Sequence, residues 1–145
     1  DDAVLIAGTR LWDVPGVRFD NWIAWQPNPV SKGPSTRDEG KDLKIFEREL
    51  QRLDTALASL DELRAEHPDA VRIVLTHYPP CTAELDGNPV TDLIERHAPA
   101  HVVFGHLHAV RRDTETTPFG RRGATEYHLT SCDFLDFRPK LITTI

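Results

Sequence analysis

Val71-Arg72-Ile73-Val74-Leu75-Thr76-His77-Tyr78-Pro79-Pro80 and, further along, His101-Val102-Val103-Phe104-Gly105-His106-Leu107-His108 decide the fold. Each opens with a short, largely apolar run rich in β-branched residues, the pattern of a buried central strand. Each then passes straight into histidine. The 24 residues from His77 to Ala100 separate the two runs. Within them Asn88 can cap and Pro89 can start a helix carrying Val90, Leu93 and Ile94, ending near Ala98-Pro99. A strand, a helix and a second strand at that spacing form a crossover between parallel neighbours. The class is therefore α/β, and the histidines leave adjacent carboxyl ends of strands, where open α/β sheets place ligands.

Working outward, Ala3-Val4-Leu5-Ile6-Ala7 reads as another buried strand, ending at Gly8. From Asp13 to Gly40, four prolines and three glycines in 28 residues exclude a regular helix or central strand. This stretch is expected to be a long ordered loop whose Trp22 and Trp25 pack on the core or line a cleft. Between Lys41 and Glu66, Leu43, Phe46, Leu50, Leu53, Leu57, Leu60 and Leu63 alternate at spacings of three and four, one stripe of a helix. Charges including Glu47, Arg48, Glu49, Arg52 and Asp61 are expected on its solvent face, and Pro68 closes it. The remainder reads as antiparallel: a strand over 109–113, a turn through Pro118 to Gly123, a strand over 127–135 and a last strand over 141–145.

The 145 residues make one domain. A net charge of −6 argues against nucleic acid as a partner. No apolar run approaches the ~20 residues of a membrane-spanning helix. Two cysteines, Cys81 and Cys132, are too few for a disulfide scaffold. Free thiols and a cytoplasmic location are expected, with one disulfide as the alternative. A strand at the very start of a chain without methionine suggests the carboxyl-terminal part of something longer.

Three imidazoles from two strand ends, His77, His106 and His108, point to metal ligation. Extended residues at i and i+2 face the same way, so His106 and His108 are expected to address one cleft. The other histidines, His67, His97, His101 and His128, lack paired spacing and read as structural.

A His after one strand followed by Gly-His-x-His after the next resembles the calcineurin-like metallophosphoesterases. Gly8-Thr9-Arg10-Leu11-Trp12, the Glu/Arg-rich helix and Tyr127-His128-Leu129-Thr130-Ser131-Cys132-Asp133 are similar to one bacterial branch of predicted phosphohydrolases. The resemblance implies a four-layer α/β/β/α sandwich with mixed sheets, residues 1–145 being the carboxyl-terminal part of that domain. It also implies two divalent metal ions (manganese, iron or zinc), with His77 and His106 on one and His108 on the other. Such a centre clamps a phosphoryl oxygen and lowers the pKa of a bound water, whose hydroxide attacks phosphorus in line. The substrate would be a phosphate ester, with Arg10 either contacting phosphate or forming a surface salt bridge.

The family's Asp-x-His, Gly-Asp and Gly-Asn-His blocks have no match here: Gly87-Asn88 is followed by Pro89 rather than His. The missing oxygen ligands and catalytic histidine would belong to an upstream segment of the same protein, which becomes this chain's partner, and these residues alone are expected to be inactive. Two other classes compete. A structural zinc module would use His77, Cys81, His106 and His108. Against it, Pro79-Pro80 is extended at ~3.1 Å per residue and carries the Cys81 backbone on the order of 12 Å from that of His77. The other is a non-catalytic interaction domain.

Overall fold

In the computed structural model, residues 3–24, 38–112 and 118–144 are described. Trp25, Asp113 and Ile145 lie outside them. The elements run β1 (Val4–Thr9), α1 (Glu39–Glu66), β2 (Val71–Thr76), α2 (Pro89–His97), β3 (His101–Phe104), β4 (Gly120–Arg122) and β5 (Thr125–Leu129). They build a mixed five-stranded sheet in the order β1-β2-β3-β5-β4. β1, β2, β3 and β5 are parallel, and β4 lies antiparallel on the outer edge of β5.

The register sorts the side chains onto two faces. Ala7 pairs with Val74, Val74 with Val102 and Val102 with Tyr127, so these residues share one face. Val74, Val102, Phe104, Tyr127 and Leu129 are buried there with Leu53, Leu57 and Leu60 of α1 and Val90, Leu93 and Ile94 of α2. The other face holds Ile6 and Leu75, both exposed, together with His101, Glu126 and His128. Helix α1 follows its expected stripe, but Leu43 and Leu63 at its ends are exposed. Asp38 caps it by accepting from the Lys41 N–H. In α2 the expected cap is present in reciprocal form: Asn88 accepts from the Val90 and Thr91 N–H groups, and the Thr91 hydroxyl accepts from the Asn88 N–H. No helix among the described residues is long and apolar enough to cross a membrane.

Several local expectations need correction. Strand β1 runs through Gly8 to Thr9 instead of ending at the glycine. Residues 109–112 form no strand; Val110 makes a single antiparallel bridge to Ile23. The expected turn at 118–123 contains β4, and the hairpin reverses at Gly123-Ala124, with Gly123 at a positive φ of 57°. β5 begins at Thr125 and stops at Leu129, antiparallel to β4 as a hairpin requires but parallel to β3, and residues 141–144 form no strand. The reason lies in the connection. After β3 the chain travels back towards the start of the sheet before reversing, so β5 climbs in the same direction as β3. All five strands among the described residues belong to one sheet.

Gly8 is required by close approach: a Cβ there would lie 2.0 Å from the Leu75 carbonyl oxygen across the β1–β2 pair. Gly8→Ala is therefore expected to cost more than about 3 kcal/mol in urea unfolding. Asn88→Ala, which removes a cap, should cost about 1 kcal/mol. Equal losses would show that β1 and β2 can separate without penalty.

Candidate metal centre

Three strand ends are stitched together at the top of the sheet. The N–H groups of His77 and Tyr78 both donate to the Arg10 carbonyl at 3.1 Å, and the Gly105 N–H donates to the His77 carbonyl at 3.3 Å. Residues just past β1, β2 and β3 are thereby held side by side. His106 sits at φ 68°, and the Leu107 N–H donates to the Gly105 carbonyl at 2.8 Å. That is a γ-turn centred on a non-glycine residue, an uncommon and strained conformation.

The turn overturns the expectation that residues 106–108 are extended with His106 and His108 side by side. Instead, His106 turns onto His77. Its Nδ1 lies 3.1 Å from His77 Nε2, with the ring centroids 5.0 Å apart and nearly perpendicular. Tyr78 supports the pair, its ring centroid 4.2 Å from that of His106, and Trp12 packs on Tyr78 at 5.0 Å.

His108 goes elsewhere. Its Nδ1 lies 2.8 Å from Asp133 Oδ1, while Asp133 Oδ2 accepts from the Ala109 N–H at 2.7 Å. A carboxylate can only accept, so His108 Nδ1 carries the proton, and in the neutral ring Nε2 keeps its lone pair. Partial burial raises the Asp133 pKa, but the Ala109 N–H and His108 more than offset this and hold it below the ordinary value. Arg112 fixes the segment by donating to the carbonyls of Asp133 and Phe134 and pairing with Asp136. The ligand atoms of His108, Cys132 and Asp133 lie within 4.8 Å of one another, whereas His77, His106 and His108 form no such three-ligand group.

A cleft of about 570 Å³ opens beside His106, lined by Asp13, Arg18, Asp20, Pro79 and Leu107 among others. Its wall is the early part of the proline-rich loop, which is tied down where Trp22 Nε1 donates to Glu84 at 2.6 Å. Trp22 is thus a packing residue of that loop. Arg10 does not line the cleft. Its guanidinium lies 3.5 Å from Glu49 and 4.6 Å from the Trp12 ring centroid. Glu49, expected on the solvent face of α1, is 1% exposed and gathers Arg10, Arg48 and Arg52 around one oxygen. Cys81 is fully buried, and burial pushes its thiol up to about 12. Cys81 joins no three-ligand group among the described residues, which counts against the zinc module.

Sequence reasoning missed the position of Asp133 and the cleft residues Asp13, Arg18 and Asp20. Asp133 stood within the block that carried the family resemblance; the cleft residues gave no spacing signal. Comparison with protein-family models, curated proteins and solved structures finds no match to this chain.

Removing the carboxylate tests its hold on His108. Asp133→Ala should change the His108 imidazole from one tautomer to a mixture in long-range ¹H–¹⁵N spectra. Because the folded pKa of Asp133 is depressed, its contribution to stability is full above the unfolded value and fades as pH falls through the lowered one. The stability gap between wild type and variant should therefore be widest near neutrality and shrink in acid. A gap that widens in acid would contradict the assignment.

Proposed function

We propose that the chain supplies the later ligands of a dinuclear phosphohydrolase centre, as the likeness to calcineurin-like metallophosphoesterases implies. His77 and His106 hold one divalent metal and His108 the other. The carrying observation is the 3.1 Å separation of His106 Nδ1 and His77 Nε2. Two nitrogens each 2.0–2.1 Å from one tetrahedral metal stand roughly 3.3 Å apart, so the pair needs only a small adjustment to share an ion. His108, with Nε2 free and Nδ1 held by Asp133, has the carboxylate–histidine arrangement typical of metal ligands.

Bound metals would supply Lewis acidity towards a phosphoryl oxygen and activate water for in-line attack. The chain's own residues orient the ligands. The γ-turn aims His106, Tyr78 (itself packed on Trp12) buttresses its ring, and Arg18 offers a guanidinium fork on the cleft wall for a phosphate ester. Arg10, held by Glu49, acts in this reading by fixing the strand end whose carbonyl anchors His77. Neutral imidazoles bring no charge, so oxygen ligands are also needed. In the family these come from blocks without a match here, and the four-layer sandwich would be completed by the same upstream segment.

His77→Ala and His106→Ala should each lose about one equivalent of bound manganese or zinc relative to the unsubstituted chain, measured by metal analysis after equilibrium dialysis. Cys81→Ser should leave it unchanged. Unaltered stoichiometry in both histidine variants would sink the proposal, and loss in the cysteine variant would favour the zinc module.

The 145 residues loaded with either metal should hydrolyse a chromogenic phosphomonoester no faster than a metal-only blank. Clear turnover that disappears in His106→Ala would show that the centre is complete within this chain.

A further inference from the structure

On the sheet face opposite the two helices, His101 pairs directly with Glu126 across the parallel β3–β5 ladder, and His128 follows two residues after Glu126. Side chains two apart on a strand share a face, so all three point the same way. His101 Nδ1 lies 3.0 Å from His128 Nε2 and 4.0 Å from Glu126 Oε2, and the three ligand atoms lie within 4.8 Å of one another. We propose that His101, Glu126 and His128 form a separate transition-metal site, binding zinc or a chemically similar divalent ion through two imidazole nitrogens and one carboxylate oxygen.

The geometry is close to that of a bound set. A tetrahedral ion with ligands at 2.0–2.2 Å separates neighbouring donors by roughly 3.3 Å, so the nitrogens need to part slightly and Glu126 to close by less than about 1 Å. Three protein ligands leave a fourth position for water. The ring that now donates across the 3.0 Å contact must move that proton to its far nitrogen, which changes its tautomer without releasing a proton.

Two cations face the site. Arg121 Nη2 is 3.5 Å from Glu126 Oε2 and must give up that pairing, and Lys140 adds to the burial that lowers the pKa of His128. Both weaken affinity, while burial keeps His128 neutral and able to ligate. This group lies at the start of β3. His106 follows the end of that strand, on the order of 13 Å further along it. The two sites therefore stand or fall separately.

Titrate His77→Ala/His106→Ala with cobalt(II), whose visible absorption reports low coordination number. One equivalent should bind with intense bands, and either Glu126→Gln or His101→Ala, added to that background, should weaken it at least about tenfold. Glu126 is a surface position, so Glu126→Gln tests ligation without disturbing the core. Should the double variant not fold, zinc added to the unsubstituted chain must shift the His101 and His128 ring nitrogens in long-range ¹H–¹⁵N spectra. Cobalt binding indifferent to both substitutions, or ring resonances unmoved by zinc, would show that these residues form a hydrogen-bonded pair beside an ordinary surface glutamate.

Discussion

The carbonyl of Arg10 accepts two N–H groups, those of His77 and Tyr78, and the rest of the candidate centre depends on that shared acceptor. Strand ends ordinarily leave their last backbone groups to water or to caps. Here the group just past β1 satisfies the two just past β2, and the His77 carbonyl in turn satisfies the Gly105 N–H just past β3. Each such bond contributes only about 1 kcal/mol net. Their geometric effect is larger, because three loops that would diverge after a twisted parallel sheet are kept in register for one more step. The γ-turn at His106 is tolerable in that setting: a strained φ persists when its neighbours are fixed on both sides.

Where one dominant local force acts, the sequence can be read directly. β2 and β3 begin and end where their apolar runs do, since burial on a central parallel strand tolerates little else. α2 is framed by Asn88 and Pro89 at its start and by Pro99 just past its end, each a local signal. Direction is different. Whether β5 runs with or against β3 depends on the path of the intervening chain, and nothing in Thr125 to Leu129 encodes it. The His108–Asp133 contact likewise joins residues 25 apart through a fold that must exist first. The pairing of His77 with His106 depends on a backbone reversal at a histidine, where propensity favours an extended or helical conformation.

Glu49 shows the same limit in its sharpest form. By periodicity it belongs to the charged side of α1, and a lone carboxylate buried to 1% would be costly. Arg52 lies 2.8 Å away with Arg48 and Arg10 beside it, so the charge is compensated by side chains that themselves stay half in water. The carboxylate therefore does for the end of β1 what a hydrophobic contact could not: it joins α1 to Arg10, and Arg10 is the residue whose carbonyl organises the strand ends. Removing Arg52 would leave the buried carboxylate to the longer Arg48 and Arg10 pairings alone, and part of the cost would reach the candidate centre through the backbone of Arg10.

The two faces of the sheet divide the polar chemistry as well as the core. The helix-covered face is mostly apolar, although it buries the Tyr127 hydroxyl. The open face sets Ile6 and Leu75 beside a histidine pair and a glutamate. An imidazole on a covered sheet face must satisfy both nitrogens within protein, whereas one on an open face can exchange a partner for water or an ion. His101 and His128 sit between these cases: they are mostly buried, satisfied by each other, and bordered by a half-exposed carboxylate. A pair of that kind is conditionally satisfied. Its hydrogen bond holds while one ring donates and the other accepts, and protonating both rings would set two donors face to face. At neutral pH, burial of His128 works against that double protonation and preserves one lone pair between the rings. The same balance that stabilises the pair as a hydrogen bond also keeps it available as a ligand set.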